Sequence, residues 1–187
     1  MAVLSLAFYR RPTLEVARDL LGRTLCRRLP EGEVRRGKIV EVEAYDGPED
    51  RASHAHRGRT PRNTPMFAAG GIAYVYQIYG VHFCFNVVTG DDDYPAAVLV
   101  RATEAPVDGA SAAGPGKLCH AFDIDRSLDG CGLRGRKLWL EEGTVVPDRR
   151  ARRTPRIGVH YAGAWAAKRF RFLIRDHPEV SGPRRLR

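Results

Sequence analysis

A chain of 187 residues with 43% hydrophobic content can fill a core of its own, and one domain over residues 1–187 is expected, ending in a basic tail at 182–187. Lysine and arginine number 31 against 22 acidic residues, a net charge of +9 with an isoelectric point near 9.8, which favours a polyanionic partner, nucleic acid first, without bearing on fold. No apolar run approaches the roughly 18 residues that span a bilayer, residues 1–6 lack the charged start of a signal peptide, and Cys26, Cys84, Cys119 and Cys131 form no CxxC pair. A membrane partner, a zinc knuckle and a disulfide framework are therefore not expected; a cytosolic location and buried free thiols are.

From Pro12 to Leu21, the spacing of Leu14, Ala17, Leu20 and Leu21 predicts a short amphipathic helix that Thr13 caps and Gly22 ends. Residues 23–29 and 34–45 read as two strands joined by Pro30, Glu31 and Gly32, hence a hairpin. Strand alternation puts Val40, Val42 and Ala44 on one face, toward the core, and Glu41, Glu43 and Tyr45 on the other. By pattern alone, glutamates on such a strand are solvated.

Residues 47–71 are rich in Gly, Pro, Asp, Arg, Asn and His and lack periodicity, making a loop longer than most compact domains carry. A strand-rich stretch follows over 72–88 with Tyr79-Gly80 at its centre, the composition of a hairpin tip, and another strand over 97–103 carries Arg101. An aromatic ring on such a tip can wedge between stacked bases, while a strand tyrosine taken singly is more often a core residue. Residues 109–116 form a small-residue loop and 117–122 a short helix. Gly116-Lys117 does not open a phosphate-binding loop, because Ser111 and Leu118 stand where that motif requires Gly and Ser or Thr. Five arginines in residues 149–156, with Arg184, Arg185 and Arg187, read equally as phosphate contacts or as a solvated loop and a frayed tail.

The segment Glu41-Val42-Glu43-Ala44-Tyr45, then Gly47-Pro48-Glu49-Asp50 and Ala52-Ser53-His54, resembles the catalytic stretch of the alkyladenine (3-methyladenine) DNA glycosylase family. The likeness continues through Thr60-Pro61-Arg62-Asn63, Tyr74-Val75-Tyr76, Ile78-Tyr79-Gly80, Asn86, Val98-Leu99-Val100-Arg101, Gly114-Pro115-Gly116-Lys117 and Arg156-Ile157-Gly158-Val159, so it covers nearly the whole chain. The resemblance implies an α+β fold, a single mixed domain with a curved antiparallel-rich sheet and flanking helices, like the carboxy-terminal domain of formyltransferases. It implies that Glu43 is the general base and that Tyr79 is inserted through the minor groove. Tyr45, His54 and Tyr76 would wall the base pocket, with Asn86 at its edge. Arg101 would hold the activated water or a neighbouring phosphate, and Lys117 would contact the DNA backbone. The expected partner is double-stranded DNA containing damaged purines, met by a bacterial monomer at the nucleoid without a cofactor. His82, where relatives carry an aromatic residue, and Gln77, in a more apolar strand, depart from the pattern and bear on the shape of the wedge.

Chemistry on a stacked base requires the nucleotide to leave the helix, and glycosidic cleavage passes through an oxocarbenium-like sugar that a carboxylate both stabilises and serves by taking a proton from water. A cationic base such as 3-methyladenine leaves without an acid, so one carboxylate suffices and Glu41 is expected to be structural, while a neutral lesion such as hypoxanthine needs a proton from elsewhere as it leaves. No lysine stands in the Glu43 segment as a Schiff-base nucleophile, which points to a monofunctional enzyme. Two other readings stay open. One is a metal-dependent hydrolase using Glu41, Glu43, His54 and His56; the other is a nucleic-acid-binding module without catalysis, for which a carboxylate beside the phosphate path would weaken affinity.

Overall fold

The computed structural model describes residues 1–107 and 109–182. Ser5 caps a four-residue helix, α1 (Leu6–Tyr9), and the expected amphipathic helix follows as α2 (Thr13–Leu20), burying Val16, Ala17 and Leu20. Its cap differs from expectation. Pro12 takes the capping position, while Thr13 is the first helical residue and its buried hydroxyl pairs with that of Thr89 at 3.1 Å, since a hydroxyl removed from water needs a partner. Gly22 ends the helix with φ +83, and a Cβ there would lie 2.0 Å from the Thr144 carbonyl oxygen.

β1 (Thr24–Arg28) and β2 (Val34–Asp46) make the expected hairpin. β2 is long enough to have two sets of neighbours. Its first half pairs with β1, and residues 41–43 lie between β5 (Ala96–Thr103) and β8 (Arg171–Ile174). Register shifts on either side of Glu41 add local twist, which helps curl the sheet. With β3 (Ala73–Ile78), β4 (His82–Val88) and β6 (Leu138–Glu141) the order is β3-β4-β5-β2-β1-β6; β8 joins β2, and β7 (Ala151–Thr154) joins β8. All these pairings are antiparallel. α3 (Pro115–Ala121) packs on β4 and β5. The architecture is the expected mixed one, a curled antiparallel sheet with few helices.

Val40, Val42 and Ala44 pack in the main core with Leu20, Phe85, Val98 and Val100. The opposite face of β2 is also covered, and Glu41 and Glu43 are both 0% exposed. The solvated reading of these glutamates is thus corrected: their alternation holds, but β8 and residues 156–181 close over the second face. Residues 47–71 form no strand but carry two short 3₁₀ turns, His54–Arg57 and Thr64–Phe67. Asn63 ties this stretch together, its Nδ2 donating to the His54 and Gly58 carbonyls at 3.0 and 2.9 Å while its Oδ1 accepts from Thr60 N–H at 2.7 Å. Cys26, Cys84 and Cys119 are buried thiols, whereas Cys131 is only partly buried. Of the expected basic tail, only Gly182 falls within the described residues; Arg184, Arg185 and Arg187 lie outside them. No helix among the described residues is long and apolar enough to cross a membrane.

Candidate active site

The two glutamates on the covered face of β2 have different surroundings. Oε1 of Glu41 accepts from Arg101 Nε at 2.9 Å and Arg171 Nε at 2.6 Å, and its Oε2 accepts from the Ser181 N–H at 2.6 Å. Two guanidinium groups therefore surround one carboxylate. Oε1 of Glu43 accepts from the Ile157 N–H at 2.8 Å, and its Oε2 accepts from the Tyr45 hydroxyl at 3.0 Å with Arg101 Nη1 at 3.4 Å. A carboxylate offers about four lone-pair sites, so Glu43 keeps acceptor capacity for a further donor such as water.

Burial works against the charge of Arg101, but Glu43 and Glu41 outweigh it and hold its pKa above the ordinary value. Burial and then the Glu43 charge push the Tyr45 hydroxyl well above the usual tyrosine range. It stays a proton donor to Glu43.

Above this pair opens a cavity of about 250 Å³ whose walls include Tyr45, His54, Tyr76, Asn86, Arg101 and Ile157. Glu43 lies directly behind the wall, since the three groups that touch its oxygens all face the cavity. β3 and the 3₁₀ turn bring three rings together: Tyr76 lies 4.6 Å from His54 and 5.1 Å from Tyr74 between centroids, and His54 Nδ1 is 3.1 Å from the Tyr74 hydroxyl. Partial desolvation, and then the Arg62 charge, lower the pKa of His54. Asn86, on β4, donates from Nδ2 to the Tyr74 carbonyl at 3.0 Å and the Cys84 carbonyl at 3.5 Å, so its amide hydrogens are committed and the group is held rigidly.

Tyr79 stands at the cavity mouth, 90% exposed. It sits on the tip of the β3–β4 hairpin, in a turn closed by Val81 N–H donating to the Ile78 carbonyl at 3.2 Å, with φ of 51 at Tyr79 and 72 at Gly80. Gln77 has a structural role here, its Nε2 donating to the Gly80 carbonyl at 2.6 Å. His82 is exposed and packs beside Gly116. Lys117 is exposed on α3 and lines a separate groove with Val81 and His82. The fold thus gathers Glu43, Arg101, Tyr45, His54, Tyr76, Asn86 and Tyr79 around one opening and leaves Lys117 to the side.

Several site residues escaped the sequence reading. Arg156, counted there among arginines that could touch phosphates, is an interior residue. It grips Asp50 with Nη1 at 2.5 Å and Nη2 at 2.8 Å, donates to the Ala44 carbonyl at 2.8 Å and lies 4.8 Å over the Tyr45 ring. Asp50 in turn accepts from the Asp46 and Ala52 N–H groups, both at 3.1 Å. This pair joins the end of β2, the loop leading to His54 and the Ile157 N–H that holds Glu43. Its members are 106 residues apart, beyond any local pattern. Tyr74 carried a readable signal, because it shares strand parity with Tyr76.

The metal-ligand set of Glu41, Glu43, His54 and His56 is not assembled. His56 Nδ1 donates to the Pro48 carbonyl at 3.0 Å, and the described residues hold no group of three or more His, Cys, Asp or Glu that could bind a metal ion.

A family model described as methylpurine-DNA glycosylase matches residues 7–178. A relative from Myxococcus xanthus is 52% identical over 95% of this chain and 93% of its own length, and one from Methanocella arvoryzae is 48% identical over 97% and 96%; the names of both give 3-methyladenine DNA glycosylase provisionally. A human protein named DNA-3-methyladenine glycosylase is 42% identical over 95% of this chain and 67% of its own length. Likeness of this extent defines the class of the molecule, a hydrolase of the N-glycosidic bond that serves DNA repair and has DNA as its substrate. The chain belongs to the methylpurine-DNA glycosylase family.

Proposed function

We propose that this enzyme is a monofunctional glycosylase in which Glu43 activates the water that displaces a damaged purine. The observation carrying the proposal is the Glu43 carboxylate, held by Ile157, Tyr45 and Arg101 behind the wall of an aromatic cavity whose mouth bears an exposed tyrosine. Water attacks C1′ of the sugar, the bond from C1′ to the base nitrogen breaks, its electron pair leaves with the base, and the proton of the water passes to Glu43. Before bond-making is complete, the carboxylate also stabilises positive charge on the sugar. Arg101 orients both the carboxylate and the water.

Tyr79 fills the space that the everted nucleotide leaves in the duplex, and Lys117 contacts the backbone. The base stacks among Tyr45, His54 and Tyr76, each aromatic contact contributing about 1–3 kcal/mol, more for a cationic, alkylated ring. Asn86, held by its two backbone partners, clashes with the exocyclic amino group of guanine; 7-methylguanine bears the same group, and the stronger stacking and easier departure of its cationic ring offset the clash. The substrates are alkylated or deaminated purines: 3-methyladenine, as in the relatives' names, with 7-methylguanine, hypoxanthine and ethenoadenine. The protein acts as a monomer in the bacterial cytosol at the nucleoid and needs no cofactor.

Incubation with duplexes carrying hypoxanthine, ethenoadenine or 3-methyladenine, with chelator present, tests class and metal need together. Free base and an intact strand bearing an abasic site are expected; strand scission would refute the monofunctional assignment, and a requirement for a divalent ion would move the protein to the metal hydrolases. Glu43→Gln should lower the single-turnover rate by about 10²–10⁴ while binding persists. Full hypoxanthine release by that variant would overturn the mechanism.

A further inference from the structure

Beside the aromatic cavity lies a second opening of about 390 Å³, lined by Arg51, Ser53, His54, His56, Arg57 and Tyr161. His54 and Tyr161 belong to both, so the two chambers share a wall. Two arginines and two histidines face the second chamber, and no acidic residue lines it. Asp50, the nearest carboxylate along the chain, is committed to Arg156. Arg51 and Arg57 are exposed, and among the described residues neither has a carboxylate within ion-pair distance, unlike Arg59, which pairs with Asp93. His56 is already oriented: a carbonyl can only accept, so Nδ1 bonded to Pro48 carries its hydrogen, leaving Nε2 for a ligand. Tyr161 is fixed by its hydroxyl, which donates to the Ala52 carbonyl at 3.3 Å.

A cationic chamber without counter-charges, one side chain away from an aromatic cavity, matches a nucleotide, whose base and phosphate are separated by one sugar. We infer that Arg51, His56 and Arg57 form a phosphodiester subsite that takes one of the two phosphates flanking the everted nucleotide. The inference rests on the reading of the aromatic cavity as the base pocket. Guanidinium groups suit the task because they offer paired donors to phosphate oxygens and keep their charge. Held there, the phosphate would fix the sugar in front of the Glu43 carboxylate instead of letting it pivot about the stacked base.

The test uses the intact protein, a duplex with a central tetrahydrofuran abasic site, which has no base to release, and fluorescence anisotropy over a range of salt. The Arg51→Gln/Arg57→Gln double variant changes two exposed, unpaired side chains, and an unaltered melting temperature confirms its fold. It should bind about tenfold more weakly near about 100 mM salt, with a plot of log affinity against log salt shallower by about one to two units. A neutral methylphosphonate at one of the two flanking phosphates should reproduce the loss in the wild type and add nothing in the double variant. Unchanged affinity and slope in the double variant would overturn the subsite. So would equal methylphosphonate losses in both proteins, or wild-type indifference at both positions. Base release from a hypoxanthine duplex reads the glycosylase mechanism separately, and its failure leaves the binding result standing.

Discussion

Glu41 and Glu43 stand two residues apart on the same face of β2, and their partners predict opposite consequences of neutralising them. Glu41→Gln takes from Arg101 and Arg171 the carboxylate they share in the interior, which costs about 3–5 kcal/mol where a buried pair is broken. Glu43→Gln faces only Arg101, and its amide oxygen can still accept from Ile157 N–H, so its melting temperature should fall less while its turnover falls far more. Thermal melts and single-turnover assays of the two variants would reverse these assignments if the orders were exchanged. His54 makes a further prediction. Its folded pKa lies below the ordinary value because of burial and then Arg62, so near the unfolded value of about 6.5 the unfolded chain binds more protons. Its contribution to stability is full above about pH 6.5 and declines as pH falls below that value toward the folded pKa. Melting temperatures between about pH 5 and 8 should show this decline in the wild type and a flatter profile in His54→Gln.

At the scale of elements, the β3–β4 hairpin carries a local conflict. Tyr79 adopts φ 51, a left-handed conformation that costs a residue with a Cβ roughly 1–3 kcal/mol, and leaves its ring 90% exposed. Neither feature helps the fold. Tyr79→Gly should relieve the backbone while adding unfolded-state entropy, leaving stability between unchanged and about 1 kcal/mol higher, yet base release from duplex DNA should drop sharply. Paired melting and release measurements check this, and a large fall in stability would show that the tyrosine serves packing instead. The tip was legible before folding: Tyr-Gly between strand-like runs marks a turn, and the strands on either side formed where β propensity put them. The long loop over 47–71 was also legible as irregular, but its internal order depends on Asn63 reaching the His54 and Gly58 carbonyls, contacts that composition does not encode.

Across the whole molecule, burial leaves the net charge of +9 to the surface, because among the described residues the buried arginines are matched by the buried carboxylates Glu41, Glu43, Asp50 and Glu141. Arg27, Arg101, Arg156 and Arg171 are buried, and the last three hold carboxylates in the interior. The remaining surface surplus predicts that affinity for undamaged duplex falls linearly on a log-log plot against salt, by about 0.9 per phosphate neutralised. Titrations at several salt concentrations should give a slope of several units; a slope near zero would show that the charge does not carry backbone binding.

The order of amino acids by itself determined the early helix, the first hairpin, the tyrosine tip and the alternation that set Glu41, Glu43 and Tyr45 on one face, because helix periodicity, turn chemistry and strand parity act over a few residues. It also carried the family resemblance, which pointed to most of the residues that line the cavity. Only the tertiary structure decided that this face is buried, that Glu41 is tied by Arg101, Arg171 and Ser181 while the groups holding Glu43 all line the aromatic cavity, and that Arg156 is an interior clamp on Asp50. Those outcomes depend on segments more than a hundred residues downstream returning over β2. The desolvation that turns a polar strand face into a site exists only once that cover is in place.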